Sequence, residues 1–264
     1  MLIKTLRDAL TVTERLLRET LHGGRVLAFW LLFPALMLLL FGSMYAGGSA
    51  QGLAQGSGRS FETTVPGILI GAALFFSCLS GPVVVLVGER ERGTLRRLLF
   101  MPLSGTSYFL GVLLHFALVA MLQTVVVYGL AYLFGGRFHG PIGLGVLLIA
   151  LSVIIYCGLG FVLGSLFASR TEDVNGPVSA IGVPLLVLGG TFFSVSLLPP
   201  ALYSLAQLDP IFHMISALRL VSAQGAGWQE VHHHVVVLLG MAAVSLLGGI
   251  YSYRRMLDRE RRGA

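Results

Sequence analysis

Apolar residues gather in six long runs, at about 26–46, 65–87, 108–134, 142–168, 177–198 and 233–253. A helix of about 20 apolar residues crosses a hydrocarbon core near 30 Å thick, so the pattern predicts an all-α integral membrane protein with six spans. Pro34, Pro82 and Pro184 fall inside the runs. Membrane helices tolerate such prolines where a neighbour satisfies the carbonyl that each leaves free. Between the runs, Gly47–Gly58 reads as a flexible loop, Gly135–Pro141 as a tight one and Ser169–Gly176 as a polar turn.

Two stretches are apolar without being spans. From Met1 to about Leu21, Leu2, Ile3, Leu6, Leu10, Leu16 and Leu17 recur at helical spacing, while Lys4, Arg7, Asp8, Glu14, Arg15, Arg18 and Glu19 take the other side. That pattern predicts a helix over 1–25 lying at the membrane surface. After Pro199-Pro200, Ala201–Leu208 and Ile211–Val221 form two short apolar patterns separated by Asp209-Pro210. Segments this short cannot cross. Over 199–230 the chain therefore either dips into the outer leaflet and returns, or lies on the surface as a hairpin.

Charge changes the picture at one place. Gly88–Ser104 carries Glu89, Arg90, Glu91, Arg92, Arg96 and Arg97, the densest cluster in the sequence, between a run that ends at Val87 and one that begins at Tyr108. If the N-terminus is inside, 15 of the 18 Lys and Arg residues fall on the cytoplasmic side, leaving Arg59, Arg137 and Arg219 outside. The positive-inside rule thus places both termini and the 88–107 segment in the cytoplasm.

Composition then narrows the chemistry. The chain is 55% hydrophobic and 11% charged, against roughly 25% charged in soluble domains, which leaves little room for a separate soluble domain. Its net charge of +6 marks cytoplasmic helix ends and not a nucleic-acid partner. The run that follows the first helix has no convincing cleavage site, so no removable leader is expected. Cys78 and Cys157 lie inside apolar runs and read as small core residues. Lys4 is the sole lysine and no G-x-x-x-x-G-K-[ST] occurs, so the chain has no P-loop. His115 and Gln123 are the most polar residues of the third run; a lone histidine there reads as a helix–helix hydrogen-bonder, which leaves ion coupling without machinery. His232, His233 and His234 are consecutive, point in different directions on a helix, and do not make a metal site. No Ser/His/Asp set and no carboxylate pair shares a membrane depth. The expectation is a protein without catalytic residues or cofactors of its own.

A protein without an engine borrows one, and here the residues resemble a known family. Glu89–Ser104 resembles the E-[RK]-E-x-G-T-x-x-x-L-x-x-x-P-[LIV]-S pattern that follows the second span of ABC-2 type permeases, the membrane subunits of ABC exporters. Gly189–Pro200, Leu208-Asp209-Pro210 and Ala217-Leu218-Arg219 resemble the family's second signature, around the fifth span and its outer re-entrant helices. One position departs: Arg97 stands near where many members carry a glutamate. The resemblance implies a single ABC-2 type transmembrane domain over 1–264, paired with a second permease copy, identical or similar. It further implies two copies of a separate ATPase subunit, which would bind ATP and magnesium. Glu89, Arg90, Glu91, Arg92, Gly93, Thr94, Leu95, Leu98, Leu99 and Pro102 would then form the coupling segment. Gly93 and Pro102 would bound a short helix, with Leu95, Leu98 and Leu99 as its apolar plug. Glu89 and Glu91 would pair with arginines of the N-terminal helix, Arg15 or Arg18. The second and fifth spans would line the path, through Phe75, Phe76, Leu186, Phe192 and Phe193.

An uncharged aromatic path suits a hydrophobic or amphipathic cargo leaving the cytoplasm or inner leaflet of a bacterial plasma membrane. Two other readings stay open: export of a lipid-linked or extended glycan by the same architecture, and a non-transporting scaffold or sensor whose 88–107 segment docks a regulator.

Overall fold

The computed structural model describes residues 2–46, 61–94, 104–133, 136–167, 170–191, 195 and 198–262. Every regular element among them is helical. In chain order these are α1 (Leu2–Gly23), α2 (Arg25–Ala46), α3 (Phe61–Phe75), a π turn (Phe76–Ser80), α4 (Gly81–Glu91), α5 (Gly105–Leu133) and α6 (Ile142–Leu166). A 3₁₀ turn (Thr171–Asp173) then leads to α7 (Asn175–Leu188), α8 (Pro200–Ala206), α9 (Pro210–Gln224) and α10 (Trp228–Arg262).

Four helical stretches are long and apolar enough to cross a membrane: Val65–Glu91, Gly105–Leu133, Ile142–Leu166 and Trp228–Arg259. A fifth is counted if the α1–α2 pair, bent by 70°, is taken as one span. The bend falls at Gly24, whose φ of +41° is easy only for glycine. The run expected at 177–198 gives a helix that stops at Leu188, 14 residues or about 21 Å long. Gly189-Gly190 ends it, with Gly190 at φ +79°. The described residues thus contain four or five span candidates where the apolar pattern predicts six.

The Val65–Glu91 span candidate is not a uniform helix. Pro82 cannot bond the carbonyl of Cys78 four residues back, and the wider π turn immediately precedes it. The Ser80 hydroxyl donates to the Phe76 carbonyl within that turn. Gly81 lets the backbone meet the Phe116 ring of α5; a Cβ there would stand 2.2 Å from it.

Close crossings hold the bundle together. A Cβ on Gly158 of α6 would lie 2.4 Å from the Ser245 carbonyl of α10, and one on Gly249 would lie 3.0 Å from the Gly158 carbonyl. Small residues at such crossings replace the hydrophobic drive that lipid cannot supply. Beside them Tyr108, Phe109, Phe161 and Tyr253 form an aromatic knot: Phe109 meets Phe161 at 4.5 Å, and Tyr108 stacks on Tyr253 at 5.3 Å. Pairs of this kind contribute about 1 kcal/mol each beyond area burial.

Helix α1 uses its apolar residues on two faces instead of one. Ala9, Val12, Thr13 and Leu16 are buried, and Val12 packs on Gly111 of α5, where a Cβ would come within 2.6 Å. The Thr13 hydroxyl lies 3.0 Å from the Gly111 carbonyl. Ile3, Leu6, Leu10 and Leu21 form a second, exposed stripe. Of the 199–230 stretch, α9 buries Ile211, Met214, Ile215, Leu218 and Val221. It packs on Gly67 and Gly71 of α3 through Leu218 and Ile215, whereas most of α8 stays exposed.

Candidate functional site

Helix α4 ends in the charged motif, and its last turn faces two ways. Glu89 is buried, its side chain only 8% exposed, and pairs with Arg15 of α1. Burying a carboxylate is costly unless it is paired, and Arg15 supplies the partner. Arg15 also lies 3.8 Å from Glu19, one turn on. Arg18, the other expected partner, bonds Glu14 at 2.5 Å within its own helix. Glu91, two residues on, projects to solvent and accepts from the Thr171 backbone N–H at 2.9 Å and from the Thr171 hydroxyl.

The chain then turns. Gly93 adopts φ +68°, the left-handed residue that commonly follows a helix. The Thr94 hydroxyl donates back to the Glu89 carbonyl at 3.1 Å. Arg92 is exposed and Arg90 half-buried; the Arg92 guanidinium folds back over Gly88. Leu95, Leu98, Leu99 and Pro102 lie outside the described residues. Where the chain resumes, the Ser104 hydroxyl accepts from the Ser107 N–H at 3.0 Å and caps α5. Arg254 of α10 donates to Thr106 at 2.9 Å.

The two ends of the 95–103 segment are therefore rooted in different elements: α1 and the 170–173 turn before it, α10 after it. The Arg15–Glu89 pair was legible as opposite charges on two candidate elements. The Glu91–Thr171 contact was not, because a threonine in a polar turn carries no sign of where it docks.

Of the candidate path residues, Phe75 is buried against Tyr156 at 5.4 Å, edge to face, and Leu186 is buried as well. Phe76, in the π turn, is 39% exposed and meets Phe33 of α2 at 6.4 Å. Phe192 and Phe193 lie outside the described residues. His115 bonds Thr20 of α1 at 3.3 Å, as a helix–helix hydrogen bond.

Away from the charged motif, Asp209 caps α9 by accepting from the Ile211 N–H at 2.9 Å. Burial pushes its carboxyl up to about 7 against that single bond. His213, one turn on, lies 2.8 Å from the Gln207 carbonyl through Nε2 and 2.9 Å from His234 through Nδ1. The carbonyl can only accept, so Nε2 carries a proton; in the neutral pair His213 Nδ1 accepts from His234. Burial holds His213 below its ordinary value, against the Gln207 bond, and nearby His233 adds to the lowering. His232 turns to the Gln229 carbonyl. Among the described residues no three His, Cys, Asp or Glu side chains are arranged to hold a metal ion.

The fold is a helical one with several membrane-span candidates, two of which are joined through the charged root of α4. The ABC-2 type transporter model matches residues 8–222, and the chain belongs to that family. The Escherichia coli inner membrane transport permease YadH is 36% identical over 73 residues, a stretch covering 28% of each chain. Daunorubicin resistance ABC transporter permease protein DrrB1 of Streptomyces coeruleorubidus is 25% identical over 262 residues, spanning 90% of this chain and 89% of that one. The probable multidrug ABC transporter permease YbhR of Escherichia coli is 25% identical over 168 residues, 63% of this chain and 45% of its own.

Proposed function

We propose that this chain is the permease subunit of an ATP-driven exporter that moves a hydrophobic or amphipathic compound out of the cytoplasm or inner leaflet. The membrane is the bacterial inner membrane, with both termini cytoplasmic. Two copies of a separate ATPase bind ATP and magnesium, and a second permease copy completes the path. The observation that carries this reading is the double rooting of α4: Glu89 on Arg15 and Glu91 on Thr171. A segment pushed by a partner needs such ties to turn its displacement into movement of the helices, and a solvated turn does not. Drug-related names among the relatives, daunorubicin resistance and multidrug transport, agree with an uncharged aromatic path. Phe76 presents the accessible ring of that path, whereas Phe75 and Leu186 are buried.

The test is ATP hydrolysis by the chain reconstituted in lipid with its candidate ATPase, titrated with drugs, lipids and glycolipids. Stimulation by drugs or lipids, lost in a Leu95→Ala/Leu98→Ala double variant, is the expected result. Stimulation by glycolipid alone would move the cargo to glycans. Failure of the two proteins to associate would favour the scaffold.

A further inference from the structure

The polar side chain least expected in the middle of this bundle is Gln123, 1% exposed on α5. Both ends of its amide are used. Its Nε2 donates to the Trp30 carbonyl of α2 at 3.1 Å, and its Oε1 accepts from the Ser77 hydroxyl of the π turn at 2.8 Å. Trp30 is four residues before Pro34 in the same helix. Proline has no N–H, so the Trp30 carbonyl is the acceptor that Pro34 leaves without its helical partner. In lipid an unsatisfied carbonyl costs several kcal/mol, and Gln123 meets that need from a third helix. Ser77 has an alternative acceptor, the Ala73 carbonyl at 2.9 Å, so its bond to Gln123 is a choice between two positions of one hydroxyl.

We propose that Gln123 is a positioning residue, which pins the π turn to α2 through Ser77 and Trp30 and thereby sets where the Phe76 ring stands beside the path. The Phe76–Phe33 contact joins the same two elements that Gln123 bridges. One residue before Phe76, Phe75 faces the core, so a change in the register of the turn exchanges which ring is presented. A leucine at 123 retains the bulk and loses both bonds. The role in export rests on the proposed function above; the positioning does not.

Two readouts separate them. Cysteines replacing Phe33 and Phe76, with Cys78 and Cys157 changed to alanine, report the distance between the elements by the rate of cross-linking with a short bis-maleimide. Ethidium, an aromatic amphipathic cation, is the transport probe, read as its half-saturating concentration for ATPase stimulation in the otherwise unsubstituted chain. Gln123→Leu should slow cross-linking and raise half-saturation by about threefold to tenfold, the range one aromatic contact is worth. Ser77→Ala, a milder change, should shift both in the same direction. Pro34→Ala returns an N–H to the Trp30 carbonyl, so adding it to Gln123→Leu should recover part of both losses. Unchanged cross-linking in Gln123→Leu would overturn the positioning role. Slower cross-linking with an unchanged half-saturation would show that Phe76 is positioned but does not meet the cargo, and would overturn the link to export. If ethidium and every lipid tried fail to stimulate the unsubstituted protein while Gln123→Leu still slows cross-linking, the exporter reading falls and the positioning stands.

Discussion

Two buried carboxyls, Glu89 at the end of α4 and Asp209 at the start of α9, have different surroundings. Buried Glu89 is matched by a cation, Arg15, recruited from another helix. Asp209 has one backbone bond and, among the described residues, no cation, and burial pushes it up to about 7. The first solution ties two elements together and has a direction: pulling α1 away strands a charge. The second is local to the cap of α9, and beside it sits a histidine pair held by neutral hydrogen bonds. On the proposed function, the α4 end is the driven one, and its cross-element ion pair resists separation under load.

The largest effect should come from reversing the pair at the driven end. Arg15→Glu places two carboxylates together around a site where Glu89 is nearly buried. Truncating a buried partner costs about 3–5 kcal/mol; with Arg15 itself 35% exposed, about 2 kcal/mol is the expected stability loss. Cargo-stimulated ATP hydrolysis should fall at least about tenfold. The double reversal, Arg15→Glu with Glu89→Arg, should restore a large part of both. No recovery in that swap would mean that the contact holds the fold and does not transmit.

Gly111→Ala attacks the same docking without touching a charge. Its Cβ would stand 2.6 Å from Val12 and 2.8 Å from the Ala9 carbonyl, and overpacking of this kind costs about 1–3 kcal/mol. Lower thermal stability together with lost coupling is expected; a normal melting temperature would show that α1 can shift along α5 freely.

At Asp209 the comparison is sharpened by pH. The folded chain holds the Asp209 proton up to about 7, whereas the ordinary value is 3.8. Its contribution to stability is therefore full below the ordinary value and is lost as pH rises through about 7. His213 works the other way. Its folded value is lowered from 6.5, so its contribution is full above 6.5 and erodes as pH falls below it. The two slopes oppose each other in mildly acidic solution, each at most about 1.4 kcal/mol per pH unit. Asp209→Asn preserves the acceptor for Ile211 and should leave a melting temperature that rises from pH ~5 to ~7. His213→Gln should leave one that falls from pH ~4 to ~7. A flat profile in both variants would sink the account of this site; His233 and His234, which face His213 from α10, are the groups to vary next.

Much of this was visible in the chain itself. The change from amphipathic to uniformly apolar sequence near residue 25 and Asp209-Pro210 marked two of the breaks, and the two short helices of 199–230 fall close to where their apolar patterns lie. Among the described residues the fifth run gives a helix only as far as Leu188, because Gly189-Gly190 inside an apolar stretch can end one. Gln123 stood out as polar, but its partners are a carbonyl exposed by a proline 89 positions earlier and a hydroxyl in a π turn, and neither leaves a periodic trace. His213 likewise gave no sign of joining His233 and His234, since α9 and α10 meet only in three dimensions.

The smallest effect, and the one that most sharpens the contrast, belongs to Thr171. Its two bonds to Glu91 are exposed to solvent, where such contacts contribute little to stability. Thr171→Ala removes the hydroxyl bond and leaves the backbone bond, so the melting temperature should not change. Coupling should weaken by about twofold, since the backbone tie at 2.9 Å remains. Glu91→Gln, which weakens both bonds, should weaken coupling further without destabilising the fold. If either variant instead abolished stimulated ATP hydrolysis while Arg15→Glu left it intact, the driven end would be transmitting through the 170–173 turn and not through α1. The buried pair would then be a fold-stabilising contact, and the exposed one the mechanical link.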